Sequence, residues 1–124
     1  MAKTVLVVDD SGTMVLSLKN NLEIAGLNVL TASDGLKGLE QLKAGPKPDL
    51  IITDINMPNM GGIEFIGKAR ATPGFRFTPI LVLTTESQQA RRDEAKKLGA
   101  TGWMVKPISG ADLIKIVKQV LPGA

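Results

Sequence analysis

"KTVLVVDDSGTM", Lys3–Met14, carries an aliphatic run straight into two adjacent acids, Asp9 and Asp10. A run without polar alternation suits a strand of a parallel sheet, buried on both faces. Neighbouring carboxylates repel, and burying either is costly unless a partner compensates it. The end of this strand is therefore expected to attract positive charge.

Further apolar runs follow: "NVLTA" (Asn28–Ala32), "LIITD" (Leu50–Asp54), "ILVLT" (Ile80–Thr84) and "WMV" (Trp103–Val105). The third and fourth runs of the chain are, like the first, nearly all Val, Ile and Leu. Helix-period segments separate them. Met14, Leu18, Leu22 and Ala25 share one face, with Gly26 placed as a stop. Leu36, Leu39 and Leu42 form the next stripe, ended by Gly45-Pro46. A third helix is expected over about Gly62–Ala71, carrying Ile63 and Ile66. A fourth, about Ser87–Leu98, has only Ala90, Ala95 and Leu98 as apolar residues and reads as weakly anchored. In the last, Leu113, Ile116, Val117, Val120 and Leu121 make an apolar stripe, behind a capping-box spacing at Ser109–Asp112. A β-α unit repeated five times predicts an α/β, doubly wound parallel sheet with helices on both faces.

At 124 residues, 44% of them hydrophobic, the chain is bounded to a single domain with a substantial core. It is read as one unit over 1–124 with no output domain attached. No run approaches membrane-spanning length and no signal pattern opens the chain, so a cytoplasmic protein with no membrane partner is expected. The absence of Cys agrees with a reducing compartment. With neither His nor Cys, a Ser-His-Asp triad, a cysteine nucleophile and an ordinary zinc site are excluded. A metal here would be a hard cation on oxygen ligands, such as Mg²⁺. The net charge of +3 reads as a mildly basic solvated surface or as a match for an acidic protein partner. Nucleic acid is disfavoured, since the basic residues are scattered and aromatics make up 3% of the chain.

In a doubly wound sheet, ligands bind outside the carboxyl ends of the strands. Those ends here are Asp9-Asp10, Asp54, Thr84-Thr85 and Lys106-Pro107. If the first and third strands are neighbours, their ends lie about 5 Å apart and three carboxylates crowd one pocket. Taken singly, each residue has a plain reading as a helix cap, a turn residue or a surface lysine. Their shared edge favours a site in which Mg²⁺ and Lys106 neutralise the acids.

The motifs "VVDDS", "IITDINMPNMGG", "LVLTTES" and "GWMVKP" together resemble, over essentially the whole chain, the receiver domain of two-component response regulators. Among these the single-domain chemotaxis regulators are the most similar. The resemblance implies a flavodoxin-like sheet of order 2-1-3-4-5 with five helices. It implies a signalling switch rather than a turnover enzyme, with Asp54 accepting a phosphoryl group from a histidine kinase. Asp10 and Asp54 would coordinate Mg²⁺ (Mn²⁺ as a substitute) with the Asn56 carbonyl, and Asp9 would act through a metal-bound water. Lys106 would hold a phosphoryl oxygen, Thr84 would bond the phosphate, and Lys106–Pro107 would be a cis peptide. Asn56 and Glu86 would tune dephosphorylation, with a separate phosphatase as a further partner. Trp103 stands where the family usually has a Tyr or Phe that rotates inward on activation. It would either do the same or stay fixed, marking a target-protein surface on the fourth helix, fifth strand and last helix.

Four other readings share parts of this pattern. A flavin-binding electron carrier has the same fold, but Asp9-Asp10 would repel a flavin phosphate. A stand-alone regulator outside chemotaxis, such as a phosphorelay shuttle, has the same site. A phosphorylation-independent scaffold is disfavoured because no member of the site is missing. A dehalogenase-type hydrolase is disfavoured because Asn56 stands where its second Asp would be.

Overall fold

A computed structural model describes residues 2–122. Strands and helices alternate: β1 (Thr4–Val8), α1 (Gly12–Ile24), β2 (Asn28–Ala32), α2 (Gly35–Ala44), β3 (Leu50–Thr53), α3 (Gly62–Ala71), β4 (Ile80–Thr84), α4 (Gln89–Leu98), β5 (Gly102–Val105) and α5 (Gly110–Val120). Every neighbouring pair is parallel, in the order β2-β1-β3-β4-β5. The order that the resemblance implies is the one observed.

The unbroken aliphatic runs are the three inner strands. Successive side chains of a strand point to opposite faces. Val5 and Val7 join α1 and α5 in one core layer, with Leu18, Leu22, Leu113 and Val117. Leu6 and Val8 join α2, α3 and α4 in the other, with Leu39, Phe65, Ile66 and Ala95. Both faces of β1 are therefore dry, and alternation has no place in it. The edge strands β2 and β5 are only half-buried, which explains their more polar composition.

Helix starts are set by short polar side chains. Ser11 accepts from the Met14 N–H, Asp34 from Lys37 and Ser109 from Asp112. Gly26 (φ +91°) and Gly99 (φ +111°) follow α1 and α4 in the left-handed conformation that ends helices.

Several boundaries and faces differ from expectation. β3 ends at Thr53, so Asp54 is the first residue past it, although its N–H still reaches the Val8 carbonyl at 2.9 Å. β5 gains Gly102, and α4 begins at Gln89 rather than Ser87. Leu36 is exposed. The inward face of α2 is instead Gly35, Gly38, Leu39 and Leu42. The glycines are there because α2 lies close to its neighbour: a Cβ on Gly38 would sit 2.8 Å from the Phe65 ring. Met14 and Ala25 are half-buried rather than core.

Weak anchoring of α4 is borne out, since Ala95 is its one buried residue. Its C-terminal end is clasped instead. Arg70 donates from Nε and Nη2 to the Gly99 carbonyl (3.2 and 2.7 Å), and from Nη1 to the Phe75 (2.8 Å) and Thr78 carbonyls. Among the described residues, no helix is long and apolar enough to cross a membrane.

Candidate functional site

The carboxyl ends of β1, β3, β4 and β5 converge as expected. The Asp9 N–H is fixed to the Ala32 carbonyl (3.0 Å) and its side chain is 3% exposed. Its Oδ1 accepts from the Ser11 N–H at 2.9 Å, so the turn into α1 holds the carboxylate. Asp10 is exposed. Asp54 is 8% exposed, and its Oδ1 accepts from the Ile55 N–H at 2.6 Å. These three residues each offer a carboxylate oxygen within 4.8 Å of the others.

Lys106 reaches in from beyond β5. Its backbone N–H is bonded to the Thr84 carbonyl at 2.8 Å, and the Lys106–Pro107 peptide is cis. Its Nζ donates to Asp9 Oδ2 and to Asp54 Oδ2, both at 2.8 Å. Burial alone would lower the lysine pKa. The hydrogen bonds to Asp54 and Asp9, with their negative charge, outweigh it and raise the value above the ordinary one.

Thr84 is fully buried, and its hydroxyl accepts from the Glu86 N–H at 3.2 Å. Glu86 is half-buried and Asn56 is exposed on the loop after β3. Trp103 is half-buried, packed at the edge of the α2-α3-α4 layer, where it lines a cavity of about 200 Å³ with Arg92 and Lys96. Beside the acids, a cleft of about 640 Å³ opens between α1 and α2, lined by Val15, Thr31, Lys37 and Gln41 among others.

The donor set fits a hard divalent cation. All the ligands are oxygen, and the Lys106 ammonium pairs with two of the three carboxylates, leaving an excess of negative charge. The exposed Asp10 is the acid not engaged by Lys106.

Sequence reasoning missed the supports of this site. Gly62, the first residue of α3, lies so close to the Asp54 backbone that a Cβ there would fall 1.9 Å from the Asp54 carbonyl oxygen. Asn59 adopts φ +65° in the loop between them and donates to Asp34, which caps α2. The "PNMGG" turn chemistry was the available signal, but its partner is 25 residues away.

Residues 5–118 match the response regulator receiver domain family. The chain is 39% identical over 117 residues to Chemotaxis protein CheY1 of Helicobacter pylori, covering 94% of each. It is 37% identical over 116 residues to a segment of Sensor histidine kinase CheAY of the same species, 93% of this chain against 14% of that one. Among solved structures, the chemotaxis response regulator CheY4 of Vibrio cholerae superposes with a TM-score of 0.92 at 41% identity, covering 98% of this chain and all of that one.

Proposed function

Since the chain belongs to the response regulator receiver domain family, we propose that it is a phosphorylation-activated signalling switch. Asp54 is the acceptor, a histidine kinase the donor and chemotaxis the setting. The observation that carries this is the Lys106 ammonium, which bridges Asp54 and Asp9 at 2.8 Å beside the open carboxylate of Asp10.

An Asp54 oxygen attacks phosphorus in line as the phosphorus–nitrogen bond to the donor imidazole breaks, giving an acyl phosphate. Asp10 and Asp54 would hold Mg²⁺ (or Mn²⁺) with the Asn56 carbonyl, and Asp9 through a water. When bound, the ion supplies the charge neutralisation that lets two anions approach. Lys106 exchanges its Asp54 oxygen for a phosphoryl oxygen and keeps Asp9, so its charge stays at the reacting centre. Acyl phosphate formation leaves about one more negative charge in the pocket. The Thr84 hydroxyl turns to the phosphate and gives up its bond from the Glu86 N–H. That releases the loop before α4, the helix with least burial to hold it. Asn56 and Glu86 flank the phosphoryl position and set its lifetime. The target protein docks on the face of α4, β5 and α5 around Trp103. Support for the setting comes from the CheY1 and CheY4 likenesses, and for a histidine kinase donor from the domain shared with CheAY.

The test is incubation with Mg²⁺ and acetyl phosphate, read by intact mass, with Asp54→Asn as control. One phosphoryl group that needs Mg²⁺ and is lost in the variant is expected. No addition in rapidly quenched samples would refute the reading.

A further inference from the structure

We propose that Asp34 is a positioning residue for the acidic site, acting through Asn59 to hold the loop between Asp54 and α3 in its ligating shape; this rests on the function proposed above. Helix capping accounts for only half of the Asp34 carboxylate. Its Oδ1 accepts from the Lys37 N–H at 2.8 Å, as a cap does, while Oδ2 accepts from Asn59 Nδ2, also at 2.8 Å. Asp34 is 4% exposed, while its donors Lys37 and Asn59 lie at the surface. Asn59 sits at φ +65°, which Asn and Asp tolerate best among residues other than glycine. The next peptide is fastened to the same helix end: the Gly35 N–H donates to the Met60 carbonyl at 3.0 Å, and Met60 is buried. A Cβ on Gly35 would fall 2.7 Å from that carbonyl oxygen, so α2 must present glycine there.

The loop is thus tied at Ile55, by the Gly62 N–H bonded to its carbonyl, and at Asn59 and Met60 by the start of α2. Between these ties lie Asn56, Met57 and Pro58. The position of the Asn56 carbonyl relative to Asp54 follows from an anchor outside the pocket. The two bonds to Asp34 also hold its pKa down, so the acceptor stays anionic.

The experiment exchanges the partners. Asn59→Asp sets two carboxylates face to face. Adding Asp34→Asn restores one hydrogen bond with reversed polarity, at wild-type net charge, and Asn remains a good N-cap. Two readouts are taken: hydrogen exchange of residues 54–62 in metal-free protein, and Mg²⁺ affinity by calorimetry. In Asn59→Asp, exchange is expected to rise about tenfold and Mg²⁺ affinity to fall severalfold. Added negative charge alone would tighten Mg²⁺ binding, so the sign separates the two effects. The double variant should return both to within about twofold of wild type. Asn59→Gly keeps the backbone conformation and removes only the side chain. It should shift both readouts the same way, and it serves if Asn59→Asp folds poorly. Unchanged exchange and affinity in Asn59→Gly, or no rescue in the double variant, would reduce Asp34 to a helix cap. A wild-type protein that takes up neither Mg²⁺ nor a phosphoryl group would overturn the proposed function and this inference with it. Wild-type uptake of both, with variants that match it, would reject the Asp34 role alone.

Discussion

Lys106 Nζ lies 2.8 Å from Asp54 Oδ2 and, equally, 2.8 Å from Asp9 Oδ2. One ammonium therefore ties the ends of β1, β3 and β5, elements far apart in sequence. Removing either acid leaves it one anion; removing the lysine leaves two nearly buried carboxylates with none of its charge.

Lys106→Met is expected to destabilise the fold by about 1–3 kcal/mol at neutral pH. It should also tighten Mg²⁺ binding, because a competing cation is gone. The pH dependence has a definite sign. The folded-state pKa of Lys106 is raised above 10.5, so its stabilisation is fully present below that pH. It is lost as pH rises through the raised value. Urea unfolding of both proteins from pH 8 to pH 11.5 checks this. A stability gap that widened on the alkaline side would contradict it.

Gly62→Ala should cost about 2–4 kcal/mol and slow phosphorylation of Asp54, because the new Cβ would fall 1.9 Å from the Asp54 carbonyl oxygen. Gly12→Ala is the contrasting case. Gly12 opens α1 with nothing within 4 Å of its would-be Cβ, so alanine there should be neutral or stabilising by up to about 1 kcal/mol. Urea midpoints of the pair test whether close approach, rather than glycine itself, sets the cost.

Arg70→Met should destabilise by about 2–4 kcal/mol, since three carbonyls lose a charged donor together. Because burial holds α4 so weakly, the loss should show most in faster hydrogen exchange over Gln89–Leu98. Arg70→Lys should recover little, lacking the planar fork that serves two carbonyls of one loop and a third beyond it. Equal exchange rates in α4 would mean the clasp is not what retains it.

Residues whose surroundings follow from strand order were legible in the sequence. Thr84 ends β4, and Asp9-Asp10, Asp54 and Lys106 directly follow the ends of β1, β3 and β5, so a parallel sheet had to bring them to one edge. The inner strands were equally plain, because burial on both faces leaves an unmistakable aliphatic run. Arg70, Asp34 and Asn59 were not legible. Each looks like an ordinary polar residue of a helix end or a turn until folding supplies a partner: Gly99 lies 29 residues beyond Arg70, and Asn59 25 beyond Asp34. Leu36 misled for the opposite reason. Its spacing fits a stripe with Leu39 and Leu42, but close approach to Phe65 and Met60 gives the inward face to Gly35 and Gly38.

Replacing Asn56 and Glu86 together with alanine should change the lifetime of the phosphoryl group severalfold while leaving its attachment to Asp54 intact. Asn56 is exposed on the loop after β3, and Glu86 is half-buried after β4, where its carboxylate accepts from the Gln88 N–H at 3.4 Å. Decay after removal of acetyl phosphate, followed by intact mass, gives the rate. An unchanged rate in the double variant would remove both from the account of turnover.

Trp103 is the sole tryptophan, so its emission reports on one place. The indole is half-buried beside Arg92 and Lys96, on the strand paired with β4, and Thr84 stands two residues along the ladder from its partner Val82. If phosphorylation draws the Thr84 hydroxyl inward, the bond from the Glu86 N–H at 3.2 Å is given up and the start of α4 moves over the indole. Emission should then change on adding Mg²⁺ and acetyl phosphate to the wild type. It should not change in Asp54→Asn, and it should change much less in Thr84→Val, which keeps the shape and loses the hydroxyl. A protein that is phosphorylated by mass but silent in fluorescence would make Trp103 a fixed part of the docking face. The switch would then have to travel through the loop of residues 85–88 alone.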